Sequence, residues 1–225
     1  MSEQKLAGKR VLLTQADDYM GPATSALFQE HGATIIADHR DLTEAGAAAA
    51  AVAEAGHIDI LVANLATPAG KAAAVDIGDD DWHRMFDVMV HPLHALCRAA
   101  LPQMYERGTG KVVVYGSATG LKPVRTATAY SAARAAQVGY VKAAGQEAAR
   151  HNVQVNLIAQ NFVENPVYYP PELIGTEQYQ KMMKQVPLGR LATGREDALF
   201  ALFLVSGDSD FFVGQAIPFA GGWLQ

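Results

Sequence analysis

Six short apolar runs recur along the chain: VLLT after Arg10, TIIAD at 34–38, IDILVANLA at 58–66, KVVVYGS at 111–117, NVQVNLIAQ at 152–160 and AIPFAGG at 216–222. Each is too short for a buried helix and fits a buried strand. Between them lie stretches with helical patterning. Strands and helices alternating at these lengths predict a parallel sheet covered by helices on both faces, the α/β doubly wound architecture. No internal repeat or linker divides the 225 residues, so one domain over 1–225 is expected. Half the residues are hydrophobic and 18% are charged, enough for a large core.

Helices are expected at 22–31, 41–57, 82–107, 128–151, 176–184 and 195–207. Pro22 suits a first turn, Thr43 an N-cap, and Gly32 and Gly56 the exits. The acidic group Asp79, Asp80 and Asp81 is read as the favourable start of a helix rather than a metal site.

The stretch 112–137, VVVYGSATGLKPVRTATAYSAARAAQ, concentrates the chemistry. Ser117 follows a strand end. Tyr130 lies thirteen residues later, where a helix begins, and Arg134 is one turn further on the same face. A tyrosine with a pKa near ~10 is a poor base at neutral pH. A permanent guanidinium beside it favours the phenolate without titrating itself. Ser117 can hold a substrate oxygen. Packing of Tyr130 on Arg134 along a helix surface is the plainer alternative.

Such a sheet binds ligands at the carboxyl ends of its strands, and a dinucleotide site needs glycines in the first turn. Here that turn has only Gly21. Gln15 and Tyr19 stand where small residues belong, with Tyr19 placed to project its ring into nicotinamide space. Asp38, after the second strand, is read as solvated or capping. Only one helix separates TIIAD from IDILVANLA, where a full dinucleotide fold has helix, strand and helix. The adenosine-binding side is pruned, and no cofactor is expected.

The net charge of −5 without a basic cluster argues against nucleic acid or an anionic membrane as partner. Cys97 is a lone cysteine, so no internal disulfide and no multi-cysteine metal site is expected, and no metal is assigned. His91 and His94, three apart, lack an evident third ligand. The N-terminus has no apolar signal core and no apolar run reaches ~18 residues, so a cytoplasmic protein is expected.

Over nearly the whole chain this order resembles the short-chain dehydrogenase/reductase superfamily, a three-layer Rossmann-like fold. Ser117 and Tyr130 match its serine and tyrosine, and Asn64 is what remains of its Asn-Asn-Ala-Gly strand end. The expected lysine is Arg134, and Met89 stands where many members carry asparagine. These departures are similar to the halohydrin dehalogenases, a cofactor-independent branch. Its Ser-x12-Tyr-x3-Arg is matched by Ser117, Tyr130 and Arg134, and its Thr-x4-(Phe/Tyr)-x-Gly by Thr14, Tyr19 and Gly21. The resemblance implies conversion of vicinal haloalcohols to epoxides with release of halide and a proton, and reverse ring opening by small anions. Tyr19, Gln160, Asn161, Phe162 and Val163 would line the halide site, Tyr168 and Tyr169 would cover the substrate, and a homotetramer would form through the helices at 82–107 and 128–151. Trp223 would pack at a subunit contact. A short-chain NAD(P)-dependent reductase with an atypical cofactor site, and a non-catalytic interaction module, are the alternatives.

Overall fold

The computed structural model describes residues 4–224. In chain order its main elements are β1 (Arg10–Thr14), α1 (Gly21–Glu30), β2 (Thr34–Asp38), α2 (Ala47–Ala55), β3 (Ile60–Asn64), α3 (Asp79–Met89), α4 (His91–Arg107), β4 (Gly110–Tyr115), α5 (Thr128–Ala149), β5 (Val153–Gln160), α6 (Glu177–Met183), α7 (Gly194–Val205) and β6 (Ala216–Phe219). The strands form one sheet in the order β2-β1-β3-β4-β5-β6, every pair parallel. This is the expected Rossmann-like layout. The chain moves outward from β1 to β2, then crosses back to β3 and onward, so the order reverses between β1 and β3. Ligands bind at such a switch point.

The period of two along each strand divides the core into two layers. Leu12, Leu61, Ala63, Val112, Val114, Val155 and Leu157 face α2, α4 and α5. Val11, Leu13, Ile60, Val62, Val113, Tyr115 and Ile158 face α1 and α7. Each buried aliphatic side chain contributes about 1.5–3 kcal/mol relative to exposure, and together they fix the strand register. The carboxyl ends of β1, β3, β4 and β5 are thereby aligned along one rim.

Two expected helices differ from the structure. The span 82–107 is two helices, α3 and α4, meeting at Val90. Pro92 has no N–H for the preceding turn, and it begins α4 as a first-turn proline. The span 41–57 shortens to α2 with Gly46 in front of it, and Thr43 is not its cap. Instead the Asp41 carboxylate accepts from the Thr43 amide at 2.9 Å and hydroxyl at 2.7 Å, a local turn that competes with helix. The aspartates 79–81 occupy the first turn of α3, as expected.

Candidate active site

β4 delivers the chain to the rim and stops at Tyr115. Gly116 follows where an added Cβ would lie 2.6 Å from the Leu157 side chain, so a larger residue there would have to displace Leu157. Ser117 comes next, extended and buried. Its Oγ accepts from the Thr119 amide at 3.2 Å and shares a hydrogen bond with Thr119 Oγ1 at 2.9 Å. The serine is thus held by the loop that it begins.

The first turns of α5 place Tyr130 and Arg134 on the face turned to this loop, the guanidinium carbon 5.0 Å from the tyrosine ring centre. Both are buried, Arg134 to 2% exposure. Arg134 Nη1 donates to the carbonyls of Leu65 (3.0 Å) and Tyr115 (3.1 Å) and to Gln137 Oε1 (3.0 Å). Gln137 Nε2 in turn donates to the Met89 carbonyl at 2.7 Å, at the end of α3. No hydrogen bond or ion pair among the described residues joins Arg134 to a carboxylate. Dipoles steady the cation but leave its charge uncancelled.

Tyr19 and Tyr168 feel that charge, and Tyr130, its ring centre 5.0 Å from the guanidinium, lies against it. Burial, the largest single influence, pushes its pKa up. The Arg134 charge and hydrogen bonds from Tyr168, Arg134 and Ser117 together outweigh it, and the pKa lies below the ordinary tyrosine value.

A cavity of about 140 Å³ opens beside Tyr130, lined by Tyr19, Ser117, Thr119, Tyr130, Arg134, Gln160, Asn161, Phe162, Val163, Asn165, Tyr168 and Tyr169. Every site residue expected from sequence lies on it. β5 ends at Gln160, whose buried Oε1 has no hydrogen-bond partner. In the loop beyond, Asn161 N donates to the Phe219 carbonyl, Phe162 N to Asn161 Oδ1 at 3.0 Å, and Glu164 N to the Ala192 carbonyl. The Val163 amide is not among these donors. Phe162 holds a left-handed backbone (φ 57°), unusual for a bulky residue. Trp223 meets Phe162 edge-on at 6.1 Å and Lys122 lies over its indole at 4.6 Å, so within this chain it braces that loop. Asn165, buried, accepts from the Val167 amide at 2.8 Å and turns Tyr168 and Tyr169 over the cavity. The Tyr168 hydroxyl donates to the Thr67 carbonyl at 2.9 Å, and its ring lies 5.8 Å from that of Tyr19.

Sequence reasoning passed over Thr119, Gln137, Thr67 and Asn165. Of these, Thr119, two residues from Ser117, and Gln137, three residues after Arg134 on the same helix, had a local signal. The others act through the tertiary fold.

The first turn tests the fit of a dinucleotide, and the residues do not fit one. Gln15 (φ 44°) and Tyr19 (φ 50°) occupy the left-handed region where glycine belongs. Gln15 grips the segment after β3 with both ends of its amide, accepting from Ala66 N at 2.8 Å and donating to the Ala66 carbonyl at 3.1 Å. Asn64 Nδ2 donates to the carbonyls of Gln15 and Asp18, each at 2.9 Å. At Gly21 a Cβ would lie 2.3 Å from the Ala16 carbonyl, so this glycine serves the turn's own closure. A cleft of about 410 Å³ persists beside it, between 15–18, 39–43 and 65–67. Asp38 beneath it is buried rather than solvated, the reverse of the expectation. One carboxylate oxygen pairs with Arg40, which also bridges to Glu54, and the other has no partner.

His91 pairs with Asp87 at 2.9 Å and His94 meets Tyr140 edge-on, and no cluster suited to a metal ion is found among the described residues. Cys97 is buried, and burial pushes its thiol up to about 12. No helix among those residues is long and apolar enough to cross a membrane.

A family model described as enoyl-(acyl carrier protein) reductase matches residues 3–224. Among sequence relatives, a 2-keto-3-deoxy-L-fuconate dehydrogenase of Xanthomonas campestris pv. campestris is 30% identical over 97% of this chain and 81% of its own length. A solved structure described as a dehalogenation enzyme superposes with a TM-score of 0.91 at 32% identity, covering 97% of this chain and 99% of that one. A gluconate 5-dehydrogenase from Burkholderia cenocepacia, solved with NADP and tartrate, gives 0.89 at 27% identity, over 98% and 97% of the two chains. The sheet order, the paired Ser117 and Tyr130, and the family match across nearly the full length lead to one conclusion: the chain belongs to the short-chain dehydrogenase/reductase family.

Proposed function

We propose that this protein is a cofactor-independent halohydrin dehalogenase, a carbon–halide lyase acting on small vicinal haloalcohols. The observation that carries the reading is the buried charge of Arg134. It faces Tyr130 with no carboxylate to cancel it, in a chain whose first turn is shut by Gln15, Tyr19 and Asn64. A lowered tyrosine is useful as a base in either chemistry, but a closed nucleotide turn supports chemistry without hydride.

In the proposed reaction Tyr130, as phenolate, takes the proton of the substrate hydroxyl, and Ser117 donates to the same oxygen. The alkoxide attacks the neighbouring carbon from the side opposite the halogen. The carbon–oxygen bond forms as the carbon–halogen bond breaks, and the electron pair leaves with the halide. The products are an epoxide, a halide ion and a proton. The departing anion would rest against Tyr19, Gln160, Asn161, Phe162 and Val163, where oriented backbone and side-chain dipoles stabilise negative charge. Tyr168 and Tyr169 would cover the substrate. In the reverse direction a small anion held there would open an epoxide.

A second reading is a short-chain reductase with an atypical cofactor site. It draws support from the dehydrogenases and reductases among the relatives, and from the open cleft above Asp38 with its partnerless oxygen. One experiment separates the two. A chlorinated or brominated vicinal alcohol is supplied without nucleotide while halide and proton release are followed, and nicotinamide nucleotides are titrated in parallel. The first reading expects halide release independent of added nucleotide. Nucleotide binding with no halide release across several haloalcohols would overturn it in favour of the second.

A further inference from the structure

Phe162 is where the candidate anion loop turns. Its backbone sits in the left-handed region (φ 57°), a costly place for a bulky side chain that persists only where the surroundings hold it. The residues on either side of it, Asn161 and Val163, both line the cavity. Whatever holds Phe162 therefore sets the anion loop. Its ring is buried among Met183, Val186 and Leu191, with Tyr169 and Trp223 packed on them. Its carbonyl accepts from the Ala192 amide at 2.8 Å.

Trp223 differs from the rest of this cluster because it is also tied to the loop that begins at Ser117. After β6 the chain reverses at residues 220–223, where the Trp223 amide donates to the Ala220 carbonyl at 3.0 Å. Gly221 (φ 56°) and Gly222 (φ 87°) are both left-handed, as a type I′ turn requires. The turn sets the indole edge-on to Phe162, ring centres 6.1 Å apart. Lys122 reaches the same residue. Its Nζ donates to the Trp223 carbonyl at 3.0 Å and lies 4.6 Å over the indole. Lys122 in turn closes the Ser117 loop, its amide donating to the Ala118 carbonyl at 2.8 Å. A continuous path thus runs from the Ser117 loop through Lys122 and Trp223 to Phe162. The β4–β5 ladder pairs residues only as far as Tyr115 and Ile158, short of both ends of that path.

We propose that Trp223, fastened by Lys122, is a positioning residue that sets the spacing between Ser117 and the Phe162 turn. This rests on the reading of the loop after β5 as the anion site. The alcohol oxygen and the halogen sit on neighbouring carbons, and the halide leaves from the side opposite the attacking oxygen. The site for the oxygen and the site for the anion must therefore stand at one fixed separation, and a small misplacement is costly in rate.

The test compares Trp223→Ala, Trp223→Phe and Lys122→Met with the parent. Bromide inhibition of proton release from a chlorinated vicinal alcohol is measured across pH, and each protein is titrated calorimetrically with sodium bromide. Trp223→Ala is expected to weaken bromide binding about three- to tenfold, the worth of one edge-on aromatic pair. Lys122→Met is expected to weaken it about two- to fivefold, the worth of an exposed cation–π contact. Trp223→Phe, which keeps an aromatic edge against Phe162, is expected to recover part of the loss. The acid limb belongs to Tyr130 and Arg134 and should stay in place throughout. Unchanged bromide affinity in Trp223→Ala and Lys122→Met would overturn the proposal. An affinity lost together with a shifted acid limb, or not recovered by Trp223→Phe, overturns it too, since either marks a general loss of packing. If Trp223→Ala does not fold, Lys122→Met, altered at an exposed side chain, carries the same comparison. The titration needs no turnover. Weaker bromide binding in the variants supports the positioning role even if no haloalcohol releases halide and the dehalogenase reading fails, whereas a parent that releases halide but binds no bromide overturns the role and leaves that reading standing.

Discussion

Tyr130 and Arg134 show how much a single replacement can carry. The lysine usual at position 134 has a flexible ammonium. Arginine presents a planar fork, and here one arm of it, Nη1, is held by two main-chain carbonyls and Gln137 while the guanidinium lies beside the phenol ring. The base works as phenolate, so halide release is expected to fall away as pH drops through the Tyr130 pKa, which lies below the ordinary tyrosine value. Tyr130→Phe should lower the rate by about 10²–10⁴-fold, the usual worth of a positioned base. Arg134→Met should move the acid limb to higher pH, because the lowering charge is gone and burial remains. Halide assays across a pH series read both. Unchanged rates in Tyr130→Phe, or a limb that stays put in Arg134→Met, would remove the basis for the mechanism. These side chains were legible in sequence because their spacing is local, a strand end and one helical turn. The Tyr168–Thr67 bond joins residues far apart in the chain, and Gln137 reaches Met89 across a helix pair, so no spacing rule could find them.

Among the elements, α7 holds a group that the proposed chemistry does not use. Asp197 is fully buried where α7 packs near α1 and β4, neither carboxylate oxygen has a hydrogen-bond partner, and burial pushes its pKa up to about 8. Close by, the Tyr115 hydroxyl and Thr24 Oγ1 lie 2.6 Å apart. The folded state therefore keeps its proton on Asp197 where the unfolded chain, with an ordinary value of 3.8, has lost it. Stability should decline as pH rises from about 4 to about 8 and level off above. Urea midpoints measured across that window should slope downward in the parent and more gently in Asp197→Asn. Parallel slopes would show that Asp197 does not titrate there. Helix ends were less legible than helices themselves. Pro92 and the Asp41–Thr43 turn decide where α4 and α2 begin, and both act against a pattern that, read alone, continues.

For the whole molecule, we propose a homotetramer. The outer face of α5 exposes small residues, Ala135, Gly139 and Ala143, and an added Cβ at Gly139 would meet nothing within 4 Å. A partner helix can approach closely on such a face. Light scattering on the purified protein is expected to give about 96 kDa, four copies of 24.0 kDa, and a monomer mass would exclude the assembly. The sequence alone determined the parallel sheet, because only buried strands and amphipathic helices satisfy that alternation of apolar runs. It also carried the Ser117, Tyr130 and Arg134 set and the missing glycines of the first turn, since these are matters of residue type at short range. Tertiary structure decided what fills the space the glycines left. Asn64 and Gln15 close the turn on itself, Tyr19 and Tyr168 meet across the cavity, and Asp38 is buried against Arg40. The contacts of Asn64, Gln15, Tyr19 and Tyr168 need side chains delivered to the same rim by different segments, and only the folded register of the sheet brings them there; the Asp38–Arg40 pair is local in the chain, and the fold decides only its burial.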